Sequence, residues 1–185
     1  MFEQLTQLVQ QFGDDAVVKN NAIPNEHNEA VMQETSNSIF ASLQKMASEG
    51  GVEQLASLLQ GNTAQNSSNS AVQQITEQVT GNLSEKFGIS GEAASGVAGN
   101  MIPQILGGLM GKANDPNDSF QISDIIGAIA GNSEQASGIM DTISKYGTQF
   151  GLDQNADGKV DLSDAMSLTK GSGGIGGILS KLFGK

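Results

Sequence analysis

Asp153, Asn155, Asp157, Asp161 and Asp164 place oxygen-bearing side chains at positions 1, 3, 5, 9 and 12 of a twelve-residue stretch, with Gly158 at position 6. The Lys159 carbonyl falls at position 7. A hard cation such as Ca²⁺ takes about six to eight oxygens, and a short loop supplies them by turning alternate residues inward around a sharp central turn. Gly158 suits that turn because glycine enters positive φ without a Cβ penalty. Val160, apolar in a polar loop, fits a residue that packs beneath the site. Four carboxylates within twelve residues repel one another unless a cation neutralises them. An Asp/Asn/Gly-rich surface turn draws on the same residue types, and the regular spacing favours a Ca²⁺ site over it. The expected ligands are Asp153, Asn155, Asp157, Asp161 and Asp164 through side chains and Lys159 through its carbonyl.

Position 12 is Asp164 rather than Glu, one methylene shorter, so bidentate closure needs the exiting helix to come nearer or a water to intervene. Ala165 follows it, where an EF-hand usually carries a larger apolar residue. In this form the loop, over residues 150–170, resembles those of dockerin modules, which are bacterial and calcium-loaded. Dockerins carry two such loops and one is visible here, so the resemblance implies a metal site and says little about cohesin binding. A single unpaired loop implies weak affinity, on the order of 10⁻⁵ to 10⁻³ M. That range suits a structural ion outside the cytosol better than a cytosolic sensor.

The elements that must hold this loop are helical. The chain has 185 residues, length enough for one domain or two small ones with a real core. Its net charge is −11 and it contains no arginine, which argues against nucleic acid and removes the usual bidentate clamp for phosphate or carboxylate. Cysteine is absent as well, so disulfides, thiolate nucleophiles and cysteine-type zinc or iron–sulfur sites are excluded. With no Trp and a single Tyr, Tyr146, the core must come from Leu, Ile, Val, Ala, Met and Phe. No basic segment followed by an apolar run opens the chain, and no window approaches about eighteen consecutive apolar residues. The localisation expected is therefore cytoplasmic by default, with non-classical export as the other route.

Apolar residues recur at helical spacing along most of the chain, and no run alternates with period two, so the expected class is all-α. Phe2, Leu5, Leu8, Val9 and Phe12 mark a first helix that Gly13 is expected to break, with a second short helix over Asp14 to Asn20. A long helix from Asn25 to Ser48 carries Val31, Ile39, Leu43 and Met46, and Val52, Leu55, Leu58 and Leu59 make a short one. The polar run 63–70 reads as a linker. Beyond it, Val72, Ile75, Val79, Leu83 and Phe87 form a helix stopped by Gly88, and Ser90 caps the next, in which Pro103 predicts a kink or a division. Ile122, Ile125, Ile126 and Ile129 form another, and Ser133 to Gln149 leads into the acidic loop, which Leu162 to Lys170 leaves.

Three segments of the first half match three of the second. Phe12-Gly13 corresponds to Phe87-Gly88, Ile39 to Leu43 corresponds to Ile105 to Leu109, and Val52 to Asn62 corresponds to Ile122 to Asn132. Duplication of a helical unit accounts for this, and convergent amphipathic patterning is the competing explanation. The expected architecture is a compact multi-helix bundle of two similar units, 1–62 and 71–132, followed by an EF-hand-like helix-loop-helix over 133–170. A glycine hinge and amphipathic helix at 171–185 complete it. Within the second unit, Phe87-Gly88-Ile89-Ser90, Ile102-Pro103-Gln104-Ile105-Leu106-Gly107-Gly108-Leu109 and Asp124 to Ile129 resemble the YidB-like bacterial family of unknown function. The resemblance covers about 85–132 and implies a small bacterial helical domain with no assigned activity.

Two other features could do chemistry. His27, the single histidine, lies beside Glu26 and Glu29, but no second ligand or nucleophile accompanies it, and a solvated histidine at a helix start is the expected role. The run Gly171 to Gly177 lacks the Gly-Lys-Ser/Thr ending of a phosphate loop and reads as a hinge. After it, Ile175, Ile178, Leu179, Leu182 and Phe183 share one helical face, with Lys181 and Lys185 beside them. Such a stripe can cover the chain's own core, lie on a membrane surface, or enter a groove of a second subunit. Together these readings describe a non-enzymatic Ca²⁺-binding protein whose ion orders the C-terminal helices for protein interaction or self-assembly. A peripheral membrane or surface-active protein that uses the amphipathic C-terminal helix is the alternative.

Overall fold

The computed structural model describes residues 1–149 apart from Gln60 and Pro116. Among them the chain forms α1 (Phe2–Gly13), α2 (Asn28–Ser48), α3 (Val52–Leu59), α4 (Ser70–Phe87), α5 (Gly91–Ala113), α6 (Ile122–Ile129) and α7 (Ser133–Gln149), and no strand. The expected all-α class holds. Contacts divide the chain into two units, Met1–Ile139 and Met140–Lys185.

Within the first unit, α1, α2, α4 and α5 close a ring in which each helix runs opposite to its neighbours. Phe2 meets Phe40 with ring centroids 5.7 Å apart, while Gly13 at the far end of α1 packs on Met32. Glu34 and Ser38 of α2 bond to Lys86 and Asn82 of α4, in reversed order. A turn of Gly88, Ile89 and Ser90 then reverses the chain into α5. The ring closes where Gly13 faces Met101 and Leu8 faces Gly108. This is the up-down-up-down arrangement of a four-helix bundle.

The core is the sum of the apolar stripes. Leu5, Val31, Ile39, Ile75, Val79, Leu83, Met101, Ile102, Ile105 and Leu109 are all fully buried, and each such side chain contributes about 1.5–3 kcal/mol over its exposed state. Both short helices cover one end of the ring. Leu55, Leu58 and Leu59 of α3 and Ile125 and Ile129 of α6 meet Leu43, Leu106 and Met110 around an apolar void of about 10 Å³. A void lined only by carbon and sulfur offers water no partners, so it stays dry. Among the segments matched in the sequence, Ile39 and Leu43 are buried like Ile105 and Leu109, and α3 and α6 are both eight residues long, whereas Phe87 ends α4 and α1 runs on past Phe12.

Four details depart from expectation. Gly13 does not break the helix: its φ is −74°, and the backbone passes into a π-helical turn over Asp14–Val18. A Cβ there would lie 2.6 Å from Met32 Sδ and 3.7 Å from Met101 Cε, so any larger residue would have to displace the Met32 side chain. Pro103 neither ends nor divides α5, which continues to Ala113. The side-chain amides of Asn100 and Gln104 donate to the Gly96 and Asn100 carbonyls at 2.9 and 2.8 Å, which reinforces the turns that proline weakens. The polar run after α3 holds a 3₁₀ turn over Gly61–Gln65 whose Ala64 is buried. Finally Phe2, placed with the core stripe by its spacing, remains 41% exposed.

Gly88 ends α4 with φ 64°, a left-handed conformation in which its N–H donates to the Ser84 carbonyl. A Cβ there would meet nothing within 4 Å. Gly88→Ala should therefore cost only the backbone penalty, about 1–2 kcal/mol, seen as a lower denaturant midpoint with an unchanged m-value.

Candidate functional site

All six expected ligands, Asp153, Asn155, Asp157, Lys159, Asp161 and Asp164, lie outside the described residues, as do the glycine hinge and the C-terminal stripe. What the structure provides is the helix leading to them. α7 ends at Gln149, and residues 150–152 separate it from Asp153. Its start is pinned: Asn132 Oδ1 accepts from the Gln135 N–H at 2.8 Å, and Gln135 Oε1 accepts from the Gly131 N–H at 3.0 Å. One turn further on, Ile139 is 1% exposed.

Among the described residues no group of three or more His, Cys, Asp or Glu side chains is gathered as a metal site requires. His27 does not stand in open solvent as expected. It sits half-buried at the start of α2, its ring centroid 5.9 Å from that of Phe87.

A polar seam between α2 and α4 escaped the sequence reading. Glu34 Oε2 lies 2.7 Å from Lys86 Nζ, and Ser38 Oγ donates to Glu34 Oε1 at 3.1 Å. Asn82 donates its amide to Ser38 Oγ at 2.8 Å and accepts from the Gln78 amide at 3.2 Å. Glu34 is 11% exposed at its side chain and Lys86 57%. One end of the seam is thus nearly dry and the other wet, which positions α2 against α4 without offering a nucleophile or base. The available signal was the set of polar residues on the buried side of α2, Thr35, Ser38 and Ser42 among Val31, Ile39 and Leu43. Glu34→Ala leaves the Ser38 hydroxyl without its acceptor and should cost about 1–2 kcal/mol. Lys86→Ala, at a mostly solvated cation, should cost about 0–1 kcal/mol. Paired chemical denaturation curves distinguish the two.

Surface grooves lie along the ring among the described residues. One, about 430 Å³, lies between α1, α5 and the 3₁₀ turn and is lined by Phe12, Gln65, Pro103, Gln104, Gly107 and Gly108. Another, about 240 Å³, runs between α1 and α2 past Phe2, Val9, Glu29 and Met32. Neither gathers a pair of titratable groups for acid–base chemistry. At the π-helical turn, hydrogen bonds from Lys19 first to Asp14 and then to Asp15, both 2.7 Å, hold its ammonium pKa well above the ordinary lysine value. The side chain is largely exposed and fastens the turn locally.

A family model described as a bacterial protein of unknown function (DUF937) matches residues 69–185. The chain belongs to the DUF937 family. The DUF937 region begins at a structural boundary, since Asn69 is the N-cap of α4 and its Oδ1 accepts from the Ala71 and Val72 N–H groups. It takes in α4 to α7 together with the acidic loop and the C-terminal stripe. The first three helices precede it, yet α1 and α2 supply two sides of the ring against which the DUF937 helices α4 and α5 pack. No match was found among curated proteins or among solved structures. No helix among the described residues is long and apolar enough to cross a membrane.

Proposed function

We propose that this DUF937 protein is a non-enzymatic Ca²⁺-binding helical protein in which the ion orders the C-terminal helices for protein interaction or self-assembly. The observation that carries the reading is the spacing of Asp153, Asn155, Asp157, the Lys159 carbonyl, Asp161 and Asp164 around Gly158. It gains support from α7, which brings a helix to within a few residues of loop position 1, where an EF-hand-like loop takes its entering helix. The resemblance of 85–132 to YidB-like proteins falls inside the DUF937 match and agrees with a bacterial helical scaffold.

Isothermal calorimetry of Ca²⁺ into the full chain tests the proposal. The expected result is one site with a dissociation constant on the order of 10⁻⁵ to 10⁻³ M, lost in Asp153→Ala/Asp157→Ala. No binding, or equal binding by that double variant, overturns it. A second reading rests on the stripe of Ile175, Ile178, Leu179, Leu182 and Phe183 beside Lys181 and Lys185, a pattern suited to an anionic membrane surface. Vesicles containing anionic lipid should sediment the full chain and leave a chain ending at Lys170 in solution. Equal partitioning of the two removes that role.

A further inference from the structure

The helices α1–α3 and α4–α6 bury matching positions. Val31, Ile39 and Leu43 on α2 are buried, and at one constant offset so are Val97, Ile105 and Leu109 on α5. Leu55, Ala56 and Leu59 on α3 match Ile125, Ile126 and Ile129 on α6 in the same way. The two halves also meet reciprocally, the first helix of each lying antiparallel on the second helix of the other. α1 lies on α5, with Leu8 at Gly108 and Gly13 at Met101, and α4 lies on α2, with Asn82 at Ser38 and Lys86 at Glu34. Transferred by sequence correspondence, the α1–α5 contacts become Leu83 at Ser42 and Gly88 at Thr35, within about one helical turn of those seen between α4 and α2. Reciprocal contact of this kind is what a two-fold axis produces between identical subunits, each presenting the same patch to the other.

The DUF937 match includes α4–α6 and excludes α1–α3, so the part of the ring that the family model describes is one half. Alone, that half would expose the apolar stripes of α4 and α5 that α1 and α2 cover, and a face of that kind calls for a partner. We infer that this face is self-complementary and that the partner it fits is a second copy of α4–α6, whose place α1–α3 fill in this chain. In such a pair Leu83 of one copy stands where Leu8 does, against Gly108 of the other. Asn82 and Lys86 come opposite Gln104 and Asn100, the counterparts of Ser38 and Glu34. These positions bring no like charges together. The pairing involves only helices of the unit Met1–Ile139 and needs no Ca²⁺.

Because the chain has no cysteine, a disulfide trap can be placed in the full-length protein. Leu8→Asp sets a charge against Gly108 in the closed ring and should unseat α1–α3 from the face. With Asn82→Cys and Gln104→Cys added, mild oxidation should yield a covalent dimer that needs both cysteines, and the same pair without Leu8→Asp should stay monomeric. A chain with Leu8→Asp and both cysteines that keeps its helical circular dichroism yet remains monomeric overturns the inference, as does cross-linking by either cysteine alone. Should Leu8→Asp unfold the chain, a full-size variant in which residues 1–62 are replaced by a second copy of 71–132 decides. It should be monomeric and unfold in one cooperative transition, with Asn82→Cys of one copy and Gln104→Cys of the other joined by a disulfide. Aggregation, non-cooperative unfolding or absence of that disulfide rejects the self-complementary face.

Discussion

Ile105→Ala is expected to lower the unfolding free energy by about 2–5 kcal/mol. Ile105 is fully buried on α5, the helix that packs against α4 on one side and α1 on the other. Truncation removes the transfer free energy of the lost carbons and leaves a cavity that the neighbours fill only in part. Relaxation around it is limited, because Gly107 is already in close contact with the Gln65 side chain and a Cβ at Gly108 would lie 2.9 Å from Leu8 Cδ2. The same substitution at exposed Gln104 should change stability by about 0.5 kcal/mol or less. Thermal or guanidinium unfolding followed by circular dichroism checks both. Near-equal effects at the two positions would mean that α5 does not stand at the centre of the fold.

Saturating Ca²⁺ should stabilise the full chain by about 2.7 kcal/mol when free ion exceeds the dissociation constant a hundredfold. For a chain of this length that corresponds to a rise in melting temperature of about 5–10 °C in a single cooperative transition. Mg²⁺ at the same concentration should do less, because it demands near-ideal octahedral geometry and sheds water reluctantly. Asp153→Ala/Asp157→Ala should melt at one temperature with or without Ca²⁺. The physical reason lies in the acidic loop, where carboxylates brought together without a cation oppose the ordered state, and coordination turns that opposition into a contribution to folding. A rise of the same size in the double variant would assign the effect to screening of the net charge of −11 and not to the loop.

Much of the helical fold was legible because its signals are local. Ser90 and Gly88 act where a side chain or backbone freedom operates within three or four residues, and the isoleucines of α6 mark their buried face by spacing alone. The sequence misled where a distant neighbour decides the outcome. Gly13 resembles a helix stop until Met32 and Met101 are seen against it. Pro103 resembles a division until the amides of Asn100 and Gln104 are seen supporting the turns around it. The seam of Glu34, Ser38, Asn82 and Lys86 joins two helices far apart in sequence, and the buried polar residues of α2 hint at it without naming the partners on α4. The loop is the opposite case. The proposed ligands, Asp153 to Asp164, fall within one short run, so the calcium reading rests on spacing alone, and all of them lie outside the described residues.

The most direct test is a crystal structure of the full chain grown with Ca²⁺. One ion is expected between residues 153 and 164, held by side-chain oxygens of Asp153, Asn155, Asp157, Asp161 and Asp164 and by the Lys159 carbonyl at about 2.3–2.6 Å. A loop with no ion and its carboxylates turned to solvent, in crystals saturated with Ca²⁺, would contradict the account.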